Sequence, residues 1–146
     1  MVRVLCYHYT MNEPIHTRGC VYQTAYHMVW RPVYRRDVLR EPVKTTLENL
    51  LRTIARQHRM QVLAVDVQPD HVHLFVSMPP TLSIANAVKL FKGISARQLR
   101  LMYPQLRKRT RSDRLWAPSY YCGTAGHVSA ETIQKYIEAQ ESHHVE

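Results

Sequence analysis

The chain has 146 residues, 45% of them apolar, which is enough for one domain with a core of its own. No apolar run approaches the ~18 residues of a membrane span, and the first 19 residues lack the apolar stretch and cleavage site of a signal peptide. Lys and Arg number 20 against 11 acidic residues, a net charge of +9, and a pI near 9.8 points to a polyanionic partner such as nucleic acid.

Residues 1–18 read as an irregular arm, and residues 19–146 as a single domain without repeats or a dividing linker. From Cys20 to Arg31 the chain is rich in Val, Tyr, Thr and Trp and predicts a strand that Pro32 stops. Pro42 suits a first helical turn. Val43, Leu47, Leu50, Leu51 and Ile54 then follow at helical spacing, so a core-facing helix is expected over 42–58. Gln61 to Gln68 alternates Val62, Ala64 and Asp66 against Leu63, Val65 and Val67, which predicts a strand with one strongly apolar face. Pro69-Asp70 marks a turn, and His71 to Met78 predicts a second strand, paired with the first as a hairpin.

Ser83 can cap the next helix, with Ile84, Ala87, Val88 and Phe91 as its buried stripe and an end near Met102, before Pro104. A basic loop is expected next, because Arg107, Lys108, Arg109, Arg111 and Arg114 crowd together with only Asp113 opposing them. Leu115 to Thr124 predicts a fourth strand. Ser129 would cap a last helix over about 130–141. The fold class is therefore α+β: a ferredoxin-like, split βαβ, four-stranded antiparallel sheet with two helices on one face and a further C-terminal helix. That fold hosts many functions and decides none. The three cysteines, Cys6, Cys20 and Cys122, form no CxxC pair, so neither a disulfide framework nor a zinc ribbon is expected. A cytoplasmic protein of bacterial or archaeal type fits this pattern.

Two constellations can carry chemistry. His71-Val72-His73 lies on a predicted strand, where residues two apart share a face. Both imidazoles then converge while Val72 turns to the core, and two convergent imidazoles are half of a divalent-metal site. The plainer reading is an ordinary polar sheet face in a chain with nine histidines. Tyr136 and Gln140 lie four apart on the last predicted helix and share its face. The plainer reading there is a tyrosine packing beside Ile133 and Ile137, with a solvated Gln140.

Taken together the two groups make a phosphodiester-transfer mechanism. A tyrosine phenol can attack phosphorus, and a metal on His71 and His73 can stabilise the developing charge. Gln140 can add an oxygen ligand. An open site of this kind suits Mg²⁺ or Mn²⁺ better than a closed structural zinc.

The residues also resemble a known family, from about Gly19 to Gln140. Its landmarks are Tyr26-His27-Met28-Val29-Trp30 with Tyr34-Arg35-Arg36, Pro69-Asp70-His71-Val72-His73-Leu74, Phe91-Lys92-Gly93 with Ser95-Ala96-Arg97, Leu115-Trp116-Ala117-Pro118-Ser119-Tyr120-Tyr121, and Gln134-Lys135-Tyr136-Ile137-Glu138-Ala139-Gln140. In these blocks the chain resembles the TnpA-type single-tyrosine HUH transposases of small bacterial insertion sequences. The resemblance implies His71, His73 and Gln140 as metal ligands, and Tyr136 as the nucleophile that joins a DNA 5′-phosphate and releases a 3′-OH. It implies a homodimer that binds imperfect hairpins in single-stranded DNA at transposon ends, with Mg²⁺ or Mn²⁺ and no nucleotide cofactor. Arg31, Arg35, Arg36, Lys89, Lys92 and Arg97 become candidate DNA contacts. Residues 1–18 have no counterpart in these blocks.

Other readings predict different behaviour. A domesticated hairpin-processing nuclease would share the chemistry. A non-catalytic nucleic-acid-binding module would use stacking aromatics on central strands and needs no meeting of His71 and His73 with Tyr136 and Gln140. A water-using metal hydrolase would dispense with Tyr136.

Overall fold

The computed structural model describes residues 14–125. The expected last helix, with Tyr136 and Gln140, lies outside the described residues, as does most of the arm.

The chain enters through β1 (Ile15–His16) and β2 (Val21–Tyr22), which pair antiparallel. The hydroxyl and backbone N–H of Thr17 both donate to the Cys20 carbonyl and close the turn between them. The end of the expected arm is thus a small hairpin. The single strand expected from Cys20 to Arg31 is divided, because β3 begins only at Tyr26 and runs to Trp30. The cause is Thr24. Its hydroxyl donates to the Met78 carbonyl at 2.7 Å and accepts the Met78 N–H at 2.9 Å, so a side chain makes the bonds a ladder would make.

Helix α1 (Val43–Gln57) buries Val43, Leu47, Leu51, Ile54 and Ala55, which recur at helical spacing. The Glu41 carboxylate accepts the Thr45 N–H and secures the first turn. Strands β4 (Gln61–Gln68) and β5 (His71–Ser77) form the expected hairpin. Helix α2 (Ile84–Met102) starts where Ser83 Oγ accepts the Asn86 N–H at 3.1 Å. The expected basic loop contains a short helix, α3 (Leu106–Thr110), because Leu106 and Thr110 are buried while Arg107, Lys108 and Arg109 between them face solvent.

The last described strand, β6 (Tyr121–Thr124), is shorter than expected. Residues 115–117 still follow β3's extension. Val33 N–H donates to the Leu115 carbonyl, Ala117 N–H donates to the Arg31 carbonyl, and Trp116 bridges Pro32. Pro118 has no N–H to continue the ladder, and regular pairing resumes at Tyr121 opposite Val29.

The sheet order is β4-β5-β3-β6, with every neighbouring pair antiparallel. Counted from β3, this is the second, third, first and fourth strand, the order of a split βαβ sheet. One face carries α1 and α2. Met28, Trp30, Val65, Val67, Val72, Leu74 and Val76 from the sheet meet Leu47, Leu51, Ile54, Val88 and Phe91 from the helices in one core. Each such side chain contributes ~1.5–3 kcal/mol when taken fully out of water. Among the described residues no helix is long and apolar enough to cross a membrane.

β4 departs from simple alternation. Its register against β5 shifts by one residue between Val62 and Ala64. Val62 joins the core with Val65 and Val67, whereas Leu63 packs with Ala64 and Phe75 on the opposite face. The expected grouping of Leu63 with Val65 and Val67 is corrected by this bulge.

Candidate active site

The candidate site is the sheet face turned away from α1 and α2. β5 alternates strictly: Val72, Leu74 and Val76 enter the core. His71, His73 and Phe75 therefore take the other face. The register then sets their neighbours. His73 lies between Asp66 on β4 and Val29 on β3, His71 lies opposite Gln68, and Phe75 lies between Ala64 and His27. The His71 and His73 rings are 4.8 Å apart between centroids and nearly perpendicular, at 84°. Both residues are only 7% exposed. The sequence-based expectation that the two imidazoles converge and Val72 turns inward is met.

The δ nitrogen of each ring has a partner. His71 Nδ1 donates to Asp70 Oδ1 at 2.7 Å. A carboxylate in that place holds the ring's orientation and directs its proton to the δ position. Burial pushes the Asp70 carboxyl up, but its hydrogen bond and charge interaction with His71, helped by the Arg31 charge, outweigh this and hold it below the usual carboxylate range. His73 Nδ1 lies 3.0 Å from His27 Nε2 on β3. His27 is itself stacked on Phe75 at 4.3 Å, and Tyr121 meets it edge-on at 5.8 Å. Burial lowers the His27 pKa.

Asp66 is the buried carboxylate of this face, at 2% exposure. The Gln68 side-chain amide lies 3.0 Å from each of its two oxygens. That bond pairs Asp66 with an amide, so the residue in register with His73 is no ready third ligand. Among the described residues, no third His, Cys, Asp or Glu joins His71 and His73 in a group able to hold a metal ion. Two convergent imidazoles fit half of a divalent site, and any further ligands would come from outside this pair. Gln140 and Tyr136, the expected partners, lie outside the described residues.

The six candidate DNA contacts divide between two places. Arg31 directly follows β3, and its charge acts on Asp70, the partner of His71. Arg35 and Arg36 are exposed just beyond it, at a short 3-10 turn over Val33–Arg35 with Tyr34 also exposed. Lys89, Lys92 and Arg97 sit on α2, which packs against the opposite sheet face. Lys89 and Arg97 face solvent. Lys92 is tied inward: its Nζ donates to the Ala117 carbonyl at 2.6 Å and the Ser119 carbonyl at 3.3 Å. Burial lowers its pKa. A groove of about 540 Å³ beside α2 is lined by Arg97, Arg100 and Arg107 together with Gly93 and Leu101.

Two residues of the histidine face were missed by sequence reasoning, His27 and Asp66. The signal was present in both strands. Met28 and Trp30 in the core put His27 and Val29 on the face of His71 and His73. Val65 and Val67 in the core do the same for Asp66. Only the cross-strand register was lacking.

Comparison with known proteins identifies the family and the fold. The family described as Transposase IS200 like matches residues 20–140. The chain is 44% identical over 123 residues to the ISDra2 transposase TnpA of Deinococcus radiodurans, covering 84% of this chain and 88% of that protein. It is 29% identical over 125 residues to the transposase for insertion sequence element IS200 of Salmonella typhimurium, covering 86% and 80%. Its fold matches the crystal structure of a putative transposase from Deinococcus radiodurans with a TM-score of 0.72 and 38% identity, over 86% of this chain and 97% of that one. A REP-associated tyrosine transposase bound to a REP hairpin shares the fold at a TM-score of 0.53 and 13% identity, over 85% and 68%.

Proposed function

Because the chain belongs to the IS200-like transposase family, we propose that it cuts and rejoins single-stranded DNA at the hairpin-marked ends of a mobile element, with a tyrosine as nucleophile. The observation that carries the reading is the histidine face. Two nearly buried imidazoles converge from β5, and each has its δ nitrogen engaged by a neighbour. An ordinary polar sheet face gives no reason for that arrangement.

In this reading Tyr136 supplies the phenol oxygen that attacks the scissile phosphorus. The phenol gives up its proton, a phosphotyrosine bond forms to the 5′-phosphate, and the bond to the 3′-oxygen breaks. That oxygen takes up a proton and leaves as a 3′-OH. Attack of a 3′-OH on the phosphotyrosine restores the phenol and joins the strands, so bond energy is conserved and no nucleotide cofactor is needed. His71, His73 and Gln140 would hold a divalent ion, with oxygen ligation suiting Mg²⁺ or Mn²⁺. When bound, such an ion polarises the scissile phosphate and offsets charge on the leaving oxygen.

Asp70 keeps His71 oriented through its 2.7 Å bond. Arg31, which interacts with Asp70, and the exposed Arg35 and Arg36 that follow it suit the strand near the cut. Arg97, which lines one groove with Arg100 and Arg107 and a second with Lys89, offers phosphate contacts across the molecule together with Lys89. The protein acts as a homodimer, so two such sites process the two ends.

The experiment is cleavage of single-stranded hairpin oligonucleotides from the element's ends with Mg²⁺ or Mn²⁺, comparing the native protein with Tyr136→Phe. A covalent protein–DNA adduct that requires metal and disappears in Tyr136→Phe is the expected result. Cleavage that persists in Tyr136→Phe would show a water-using nuclease. Binding without cleavage by either protein would show a binding module.

A further inference from the structure

We propose that His27 is a positioning residue for His73: it accepts the Nδ1–H of His73 and so fixes which nitrogen of that ring faces a metal. The inference rests on the metal-dependent reading above for the direction of the hydrogen bond and its consequence, but not for the contact itself.

The argument begins with the two nitrogens. His27 Nε2 and His73 Nδ1 are 3.0 Å apart, although 46 residues separate them in the chain. A hydrogen bond at that distance needs one proton and one lone pair. Two arrangements satisfy it. If His27 donates, the lone pair of His73 Nδ1 is used, and a neutral His73 carries its own proton on Nε2. If His27 accepts, the proton of His73 is on Nδ1, and its Nε2 presents a lone pair. Only the second arrangement lets His73 act as an Nε2 ligand. His71 already has this form, because its Nδ1 faces the Asp70 carboxylate, which can only accept when ionised. With His27 as acceptor the two rings become alike, each a δ-protonated imidazole with its ε lone pair for the ion.

His27 is held where it can do this. Its ring lies flat on Phe75, 4.3 Å away and within 1° of parallel. Tyr121 stands edge-on at 5.8 Å and 71°. Phe75 is directly opposite His27 in the β3–β5 register, and His73 is one diagonal step along the same face. Asp70 and His27 thus hold the two β5 imidazoles from different elements, the turn before β5 and the neighbouring strand β3. Partners of this kind commonly alter metal affinity ~10–100-fold when removed.

The test reads the proton directly. Long-range ¹H–¹⁵N spectra of the metal-free full chain identify the tautomer of His73 in the native protein, in His27→Phe and in His27→Gln. His27→Phe keeps a ring over Phe75 and removes the nitrogens, whereas His27→Gln retains an acceptor oxygen. The native protein is expected to show His73 protonated at Nδ1. His27→Phe should lose that preference, and His27→Gln should recover part of it. Calorimetric Mn²⁺ titration should show affinity falling ~10–100-fold in His27→Phe, with partial recovery in His27→Gln. An Nε2-protonated His73 in the native protein would overturn the proposal, and so would an unchanged Nδ1 proton in His27→Phe. Should His27→Phe fail to fold, His27→Ala is read in its place, and the native tautomer remains decisive. A native protein with the expected tautomer that binds no Mn²⁺ would sink the metal reading and leave the positioning contact standing.

Discussion

The indole N–H of Trp116 donates to the Ser95 hydroxyl across 3.0 Å, joining the approach to β6 to the middle of α2. Ser95 is fully buried and Trp116 nearly so. The Trp116 ring also stands edge-on to Trp30, which stacks against Phe91. A polar bond inside an apolar cluster is expensive to leave half made. Ser95→Ala should therefore destabilise the protein by about 1–3 kcal/mol, since the indole N–H loses its partner without gaining water. The midpoint of urea unfolding, with an unchanged slope, measures this.

Lys92 fastens the same segment from a second point. Its bonds to the Ala117 and Ser119 carbonyls predict that Lys92→Met loosens the approach to β6. The expected loss is about 1–2 kcal/mol, with faster amide hydrogen exchange in β6. A variant that lost DNA affinity but kept native exchange rates would show that Lys92 serves the ligand rather than the fold.

Val72 separates the two histidines and faces the helices, fully buried. Val72→Thr puts an unpartnered hydroxyl into that core and should cost about 1–3 kcal/mol. Val29→Thr, on the opposite, half-buried face, should cost less. Equal losses for the two variants in chemical denaturation would contradict the assignment of faces.

Glu48 on α1 gives a pH dependence of known sign. Burial raises its pKa, with Lys44 and Arg52 only partly offsetting this. A carboxyl whose folded pKa is raised contributes stability below its unfolded pKa and loses it as pH rises through the folded value. At neutral pH the buried charge is a net cost. Glu48→Gln should be more stable than the native protein at pH 7, and the difference should shrink towards pH 4. Unfolding curves at the two pH values check this, and an advantage that grew on acidification would reverse the assignment.

Gly123 leaves room for a ring. A Cβ there would come within 2.5 Å of the Tyr121 hydroxyl. Gly123→Ala should swing Tyr121 off His27 with little change in stability, because the displaced atom is the tip of a rotatable side chain. Loss of the Tyr121–His27 nuclear Overhauser contact is the readout.

The helices were the most legible parts of the sequence. α2 begins one residue after its predicted cap, Ser83, and α1 lies within one residue of each expected end, because apolar spacing is a local signal. The strand breaks were not legible, because their causes are distant. Thr24 replaces a ladder bond only because Met78 lies beside it. His27 illustrates the same limit at the site. Its face could be read from Met28 and Trp30, but its partner His73 becomes visible only with the register. Convergence of His71 and His73 was legible because one strand supplies both. Asp70 was adjacent in sequence, yet its role depends on how the turn aims its carboxylate.

The extra residue in β4 works as a phase adjuster. On the Gln61 side of Leu63 the strand is one step out of register with the remainder, and on the Asp66 side it is regular. A length change confined to residue 63 would be absorbed there, closing the bulge while Asp66 stayed opposite His73 and Gln68 opposite His71. A length change at that end of β4 is thereby decoupled from the histidine face, and the hairpin can absorb it there without misaligning Asp66 and Gln68 against His73 and His71.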